Sequence, residues 1–285
     1  VDLNAYNANV DFDVSDTADA IATNSGSLGK ADEVSVISGG NAVDVAEAQA
    51  IQGLAGYQTG ASEYEIEDNA AAIISATDSV LANGNIHVDV NDGAGSSVVN
   101  ASIGGDLAGF TADVEFNVED TANLVAAEVS ASGFGAGGLD EANNLTVSGG
   151  NVDVADAADI QAISGYDGGA SDYDITDTAA ALISAGDSIL NKAGVDTVSV
   201  TGGPVGASDG AILAGFTADV EFDVADDVGA LKSVMGTNDP ASYLTEANSI
   251  TVDNDGNGDR VVNASDGAIL AGFTADVSFD VVDDA

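Results

Sequence analysis

The fold this sequence predicts is an α/β repeat solenoid, about eleven strand-plus-helix coils laid side by side as a parallel sheet in a rod or gentle arc. Three observations predict it. The segment Leu107-Ala-Gly-Phe-Thr-Ala-Asp-Val-Glu-Phe116 returns as Leu213–Phe222 and, with one change, as Leu270–Phe279. The chain aligned on itself gives recurring segments, each an apolar–polar alternation with the period of a strand followed by a helical or looped return. Some units are missing from the last round while the rest of the pattern persists, which a nearest-neighbour stack tolerates and a closed domain does not.

Four unit types recur. The first has the strand Glu33-Val-Ser-Val-Ile37 or Asn144-Leu-Thr-Val-Ser148, and both copies run into Gly-Gly-Asn and a short helix. The second has Tyr64-Glu-Ile-Glu-Asp68 or Tyr173-Asp-Ile-Thr-Asp177, each followed by an apolar spacing that suits a helix packed on one side. The third has Ile86-His-Val-Asp-Val90, aligned with Val198-Ser-Val-Thr201 and Ile250-Thr-Val-Asp253. The fourth is the phenylalanine unit, Val114-Glu-Phe-Asn-Val118, Val220-Glu-Phe-Asp-Val224 and Val277-Ser-Phe-Asp-Val281; Val10-Asp-Phe-Asp-Val14 is of the same type, with Tyr6 standing where Phe110 stands later. The chain thus reads as one solenoid with a partial unit over 1–30, four-coil units over 31–140 and 141–245, and a two-coil unit over 246–285.

Strands alternating with helical returns imply parallel pairing, and such short connections favour successive strands as neighbours. Alternation turns Val10, Phe12, Val14 and their equivalents toward the helices. It leaves Asp11, Asp13, Glu65, Glu67, His87, Asp89, Glu115, Asn117, Asp174, Glu221, Asp223, Asp253 and Asp280 on the other face, with Ser35, Thr146, Ser148, Thr176, Ser199, Thr201 and Thr251 among them. Parallel neighbours bring like charges to about 5 Å, which is unfavourable without screening.

Formal charge is −45, from 49 Asp and Glu against 4 Lys and Arg, yet 45% of residues are hydrophobic, so the chain is expected to fold. This field repels nucleic acid and anionic membranes and draws cations, so divalent cations are the expected partners. With no Cys there is neither a disulfide nor thiol chemistry, and a long stack needs neither to live outside the cell. No stretch approaches the roughly 20 apolar residues of a membrane span, so no membrane insertion is expected. The chain opens on Val1 inside a recurring unit and reads as a processed product or a piece of something longer.

Asp16, Asp68, Asp120, Asp177, Asp226 and Asp283 each fall between a strand and an Ala-rich or apolar run, where a carboxylate accepts the free amides of a helix start. Asp253-Asn-Asp255-Gly-Asn257-Gly258-Asp259 matches the first half of a calcium loop, making Asp253, Asp255, Asn257 and Asp259 the candidate ligands and calcium the expected ion. The second half departs from that pattern, with Ala264 where a bidentate Glu would stand. Gly133-Phe-Gly135-Ala-Gly-Gly138 has dinucleotide-fingerprint spacing but follows a helix and precedes a strand, the reverse of what phosphate binding requires. His87, the only histidine, lacks a Cys partner and aligns with Ser199 and Thr251, so it is given no catalytic or metal role. Adjacent strand carboxylates have the spacing of a retaining glycosidase pair, but near-equivalents recur where a catalytic pair would be a unique departure, so the chain reads as a non-enzyme. Asn100, Asn144 and Asn263 begin glycosylation acceptor patterns.

At Tyr173-Asp-Ile-Thr-Asp-Thr-Ala-Ala-Ala-Leu and Val198-Ser-Val-Thr-Gly-Gly203 the sequence resembles the repeat regions of large secreted and cell-surface proteins of marine bacteria and cyanobacteria, of adhesin-like or S-layer-like kind. The resemblance implies an extracellular structural protein, part of an adhesin stalk, surface layer or filament, and carries no catalytic residues across. The first and last coils have no obvious polar cap, so head-to-tail homo-oligomers or polymers are expected. The rival expectations are a carbohydrate- or ice-binding module, which would need an unbroken Thr and Ser array, and a carbohydrate-active solenoid enzyme, which would need one coil that breaks the pattern.

Overall fold

The computed structural model describes residues 11–91, 96–132, 138–235, 244, 246–254, 260–272 and 277–282. The fold is α/β, and among the described residues every strand pairing is parallel. The eleven expected strands are all present, the opening one at Asp13–Asp16. Contacts divide the chain into two compact units, one of residues 1–120, 127–145 and 163–166, the other of residues 121–126, 146–162 and 167–285.

In the first unit, Asp13–Asp16 pairs with Glu33–Val36, and Glu63–Asp68 pairs with Asn85–Val90, which pairs in turn with Val114–Glu115. Val34 bridges to Tyr57 and Val43 to Ile66, so the first-type unit reaches its successor on both sides of its Gly-Gly excursion. In the second unit the order repeats. Ser148, Asn151 and Val152 face Asp172–Thr178, which pairs with Val195–Thr201 and then Val220–Glu221; Asp223–Asp226 pairs with Ser249–Val252, then Val277–Ser278. Successive strands are neighbours, as short crossovers dictate.

The fourth-type strands are split at their phenylalanine for a reason the sequence reading missed. Beyond the third-type strand a second short strand follows: Val98–Val99, the bridge residue Val205, or Val261–Val262. It pairs with the second half of the fourth-type strand, Val99 opposite Val118, Val205 opposite Val224 and Val262 opposite Val281. The phenylalanine between the halves turns inward, Phe116 and Phe222 being 1% and 2% exposed. A helix glycine sits over it, because a Cβ on Gly104, Gly210 or Gly267 would come within 2.8–2.9 Å of a valine methyl and 3.2–3.3 Å of the ring. The core follows the expected alternation, with Tyr64, Ile66, Val88, Tyr173, Ile175, Val198, Ile250 and Val252 all buried against the helices.

The strand-end aspartates act differently from the expectation. The helix caps proper are their neighbours: Asn69 Oδ1 accepts the Ala72 N–H at 3.0 Å and Asp227 Oδ1 the Ala230 N–H at 2.8 Å, while Asp44 and Glu47 form a full capping box. Asp68, Asp120, Asp177 and Asp226 instead reach back to the preceding helix. Their Oδ2 atoms accept the first helical N–H of Val45, Ala101, Val154 and Ala207 at 2.9–3.2 Å. In Asp68, Asp177 and Asp226 the other oxygen accepts the next residue's N–H at 2.6–2.8 Å. Each such carboxylate ties its own helix start to the one before it, using two donors that helix geometry leaves orphaned. The Asp16 carboxylate accepts the local N–H of Thr17 at 2.9 Å while its backbone oxygen accepts the Ile37 N–H at 3.0 Å, and Asp283 lies outside the described residues.

Candidate metal centre

Period-two alternation on three parallel strands gathers acidic side chains around His87 in the first unit. Register places Glu65 opposite His87, Glu67 opposite Asp89, and Asp89 opposite Glu115. His87 Nε2 lies 3.2 Å from Asp89 Oδ1 and 3.1 Å from Glu115 Oε1, and the three ligand atoms fall within 4.8 Å of one another. Among the described residues this is the one such convergence of three His, Asp or Glu side chains. The side chains are 44%, 29% and 47% exposed, so an ion in solution has direct access.

Amides hold the rim. Asn91 Nδ2 donates to Glu67 Oε1, Asn143 Nδ2 donates a long bond of 3.5 Å to Glu115 Oε2, and Asn117 Nδ2 donates to Ser97 Oγ at 2.6 Å. Glu65 has its carboxyl raised above the ordinary Glu value, first because it shares a hydrogen bond with Asp89, then through desolvation and Asp89's charge; His87 opposes the shift. Carboxylates this close keep a proton that isolated ones release, or else gather a cation.

The structural register corrects the alignment of His87. Val88 faces Val114, Val198 faces Val220 and Ile250 faces Val277, so Ser199 and Thr251 are counterparts of Asp89, while Thr197 and Ser249 stand in the place of His87. A two-residue slip leaves alternation intact, which is why periodicity alone did not expose it. The corrected positions also change the argument about recurrence: the second round carries Asp174, Thr176, Thr197, Ser199 and Glu221 where the first has Glu65, Glu67, His87, Asp89 and Glu115. The imidazole with its ring of carboxylates is therefore a departure from the repeat. Sequence reasoning passed over it, although the correct register was the signal that could have found it.

Of the expected calcium ligands, Asp255, Asn257 and Asp259 lie outside the described residues. Asp253 continues the sheet, its N–H donating to Asp226 O at 2.9 Å. Asn254 accepts the Val228 N–H at 3.1 Å and donates to Val261 O at 2.8 Å, so it reaches back to a helix start as the strand-end aspartates do and also ties the two strands that flank the loop. Residues 133–137 of the glycine-rich stretch also lie outside the described residues. Asn100 and Asn263, which begin acceptor patterns, spend their side-chain oxygens as helix caps on the N–H groups of Ile103 and Asp266, both at 2.9 Å.

No family model, curated protein or solved structure matches this chain. Among the described residues no helix is long and apolar enough to cross a membrane.

Proposed function

We propose that the chain is a structural protein of the cell exterior, a segment of an adhesin stalk, surface layer or extracellular filament. Its coils stack as a solenoid and its acidic face is stabilised by divalent cations. The observation that carries this reading is the recurring aspartate tie: at Asp68, Asp120, Asp177 and Asp226 one coil satisfies the helix start of the coil before it. Such coupling gives length and stiffness by repetition, with no single centre around which the fold is organised. The charge of −45 supplies the affinity for cations, and the reading includes calcium in the loop that opens at Asp253. The hydroxyls of the second round favour no separate ligand-binding role, because Thr176 and Ser199 bond each other at 2.8 Å and Asn151 Nδ2 donates to Thr176 at 2.7 Å.

Electron microscopy of the purified chain at millimolar calcium, and again after chelation, tests the reading. Filaments or sheets that dissolve on chelation are expected for a surface assembly cemented by cations, and short dispersed rods in both conditions for a stalk segment. Compact particles of no regular length would sink both versions.

A further inference from the structure

We propose that His87, Asp89 and Glu115 form a binding site for one divalent transition cation of the zinc type, chemically distinct from the calcium expected elsewhere on this chain. A tetrahedral site with metal–ligand distances of about 2.0–2.2 Å has its donor atoms about 3.3–3.6 Å apart. His87 Nε2 already lies 3.2 Å from Asp89 Oδ1 and 3.1 Å from Glu115 Oε1, so a small local adjustment seats an ion among the three.

One imidazole nitrogen, which carries at most one proton, faces two carboxylate oxygens on its exposed side; a cation placed there draws on all three. Three protein ligands and an open fourth position, left to water, is a familiar zinc arrangement. Calcium takes 6–8 oxygen ligands, and an imidazole nitrogen at the centre of the donor set discriminates against it. Beside the site, Asn143 Nδ2 donates to Glu115 Oε2 at 3.5 Å, an outer contact of the kind that holds a ligating carboxylate in place.

The chain supplies its own control. The second round keeps the strand order and the pairing of Val198 with Val220, carries one extra residue between Val195 and Val198, and has Thr197 and Ser199 where the first has imidazole and carboxylate, retaining only Glu221 of the three. The fold therefore does not require His87 or Asp89 where they stand. This site deepens the cation-binding part of the proposed function at one place and does not depend on assembly.

The test is titration of the chelator-stripped, full chain with Co²⁺, followed by visible absorption, then by Zn²⁺ and Ca²⁺ as competitors. One equivalent of Co²⁺ should give the intense d–d bands of a four-coordinate ion, displaced by stoichiometric Zn²⁺ and retained in a large excess of Ca²⁺. His87→Thr, which installs the second round's own residue, should weaken binding by about tenfold to a hundredfold. Glu221→Gln should leave it unchanged. Matching circular dichroism and melting curves establish that the variants are folded. Absence of a stoichiometric complex, equal binding by His87→Thr, or displacement by equimolar Ca²⁺ would each overturn the site, the last by reducing it to an unselective acidic patch. Failure here with filaments or rods observed sinks the site alone; Co²⁺ binding by compact particles of no regular length sinks the structural reading alone.

Discussion

Strands 63–68, 85–90 and 114–115 and their second-round counterparts 172–178, 195–201 and 220–221 share pairing order and buried residues, and they meet solvent in different ways. In the first round the outward positions crowd Glu65, Glu67, Asp89 and Glu115 around His87. In the second, Thr176, Ser199 and Asn151 join in a neutral hydrogen-bonded ladder, and Asp174 accepts both the N–H and the hydroxyl of Thr197. One backbone carries both, so the outward side chains are not what holds it together. The buried alternation and the aspartate ties are, and the outward face is free to take on chemistry.

A second contrast lies where successive segments touch backbone to backbone. In the first round Gly84 makes the approach, since a Cβ there would stand 2.5 Å from Thr59 O; in the second a Cβ on Gly168 would stand 2.4 Å from Ala193 O. Gly84, three residues before His87, has φ 85°, and Gly194, three residues before Thr197, has φ 96°, so the second round keeps that turn glycine and adds a close approach at Gly168, where the first has Thr59. Gly168→Thr should therefore cause the largest loss, about 3 kcal/mol, by overpacking against a backbone that cannot yield. Adding Ala193→Gly should recover little, because it removes a methyl 3.0 Å from the new Cβ and leaves the backbone oxygen at 2.4 Å. Chemical denaturation of the four members of that cycle decides the matter; recovery of most of the loss would show that the Ala193 side chain and not the backbone sets the contact.

Exchanging the outward faces comes next in size. Thr176→Glu with Ser199→Asp puts two like charges directly opposite each other and removes the ladder's hydrogen bonds, at an expected cost of about 1–2 kcal/mol in low salt. The reverse pair, Glu67→Thr with Asp89→Ser, should raise first-round stability under the same conditions. Both effects should shrink as salt approaches molar concentration, where the screening length falls to about 3 Å. Melting curves that ignore salt would show that repulsion is already neutralised by something other than mobile ions.

Much of this architecture was legible in the sequence because it repeats with period two inside each strand: eleven strands, their parallel order and which residues face inward all follow from it. Register did not follow, because shifting the third-type strand by two residues keeps every apolar side chain inside. Nor did the second strands at Val98–Val99 and Val261–Val262, too short to show any period. The aspartates were recognised as caps, but their reach to Val45, Ala101, Val154 and Ala207 depends on stacking that no local pattern encodes. The His87 cluster was hidden by the register error, since its ligands come from two strands whose alignment had to be right to the residue.

A smaller prediction comes from the buried amides under these strands. Gln52 donates to Tyr64 Oη at 2.8 Å and Val80 O at 2.9 Å, and its oxygen accepts from Asn83 at 3.0 Å. Gln161 repeats the donations to Tyr173 and Ile189, but its buried Oε1 has no partner, and Lys192 occupies the place of Asn83. Lys192→Asn should supply the missing donor and raise stability by about 0.5–1.5 kcal/mol. An unchanged melting temperature would mean that water already fills the role.

The smallest effect has the most informative sign. Glu65 and Asp174 hold the same place, one residue after the buried Tyr64 in one round and one residue after the buried Tyr173 in the other, yet they meet different partners. Glu65's carboxyl is raised above 4.5 by its bond to Asp89, so between 4.5 and that higher value the folded chain keeps a proton the unfolded chain has released. Stability therefore falls as pH rises through that window, and the penalty is fully present above it. Glu65→Gln, still able to donate to Asp89, should stabilise the chain at pH 7, with a gain that fades as pH drops through the window and is absent below 4.5. Asp174→Asn should instead destabilise at pH 7, because the carboxylate that accepts the N–H and hydroxyl of Thr197 loses its charge. Equal signs for the two variants would mean that the faces differ in composition but not in electrostatics, and the contrast between the rounds would lose its physical basis.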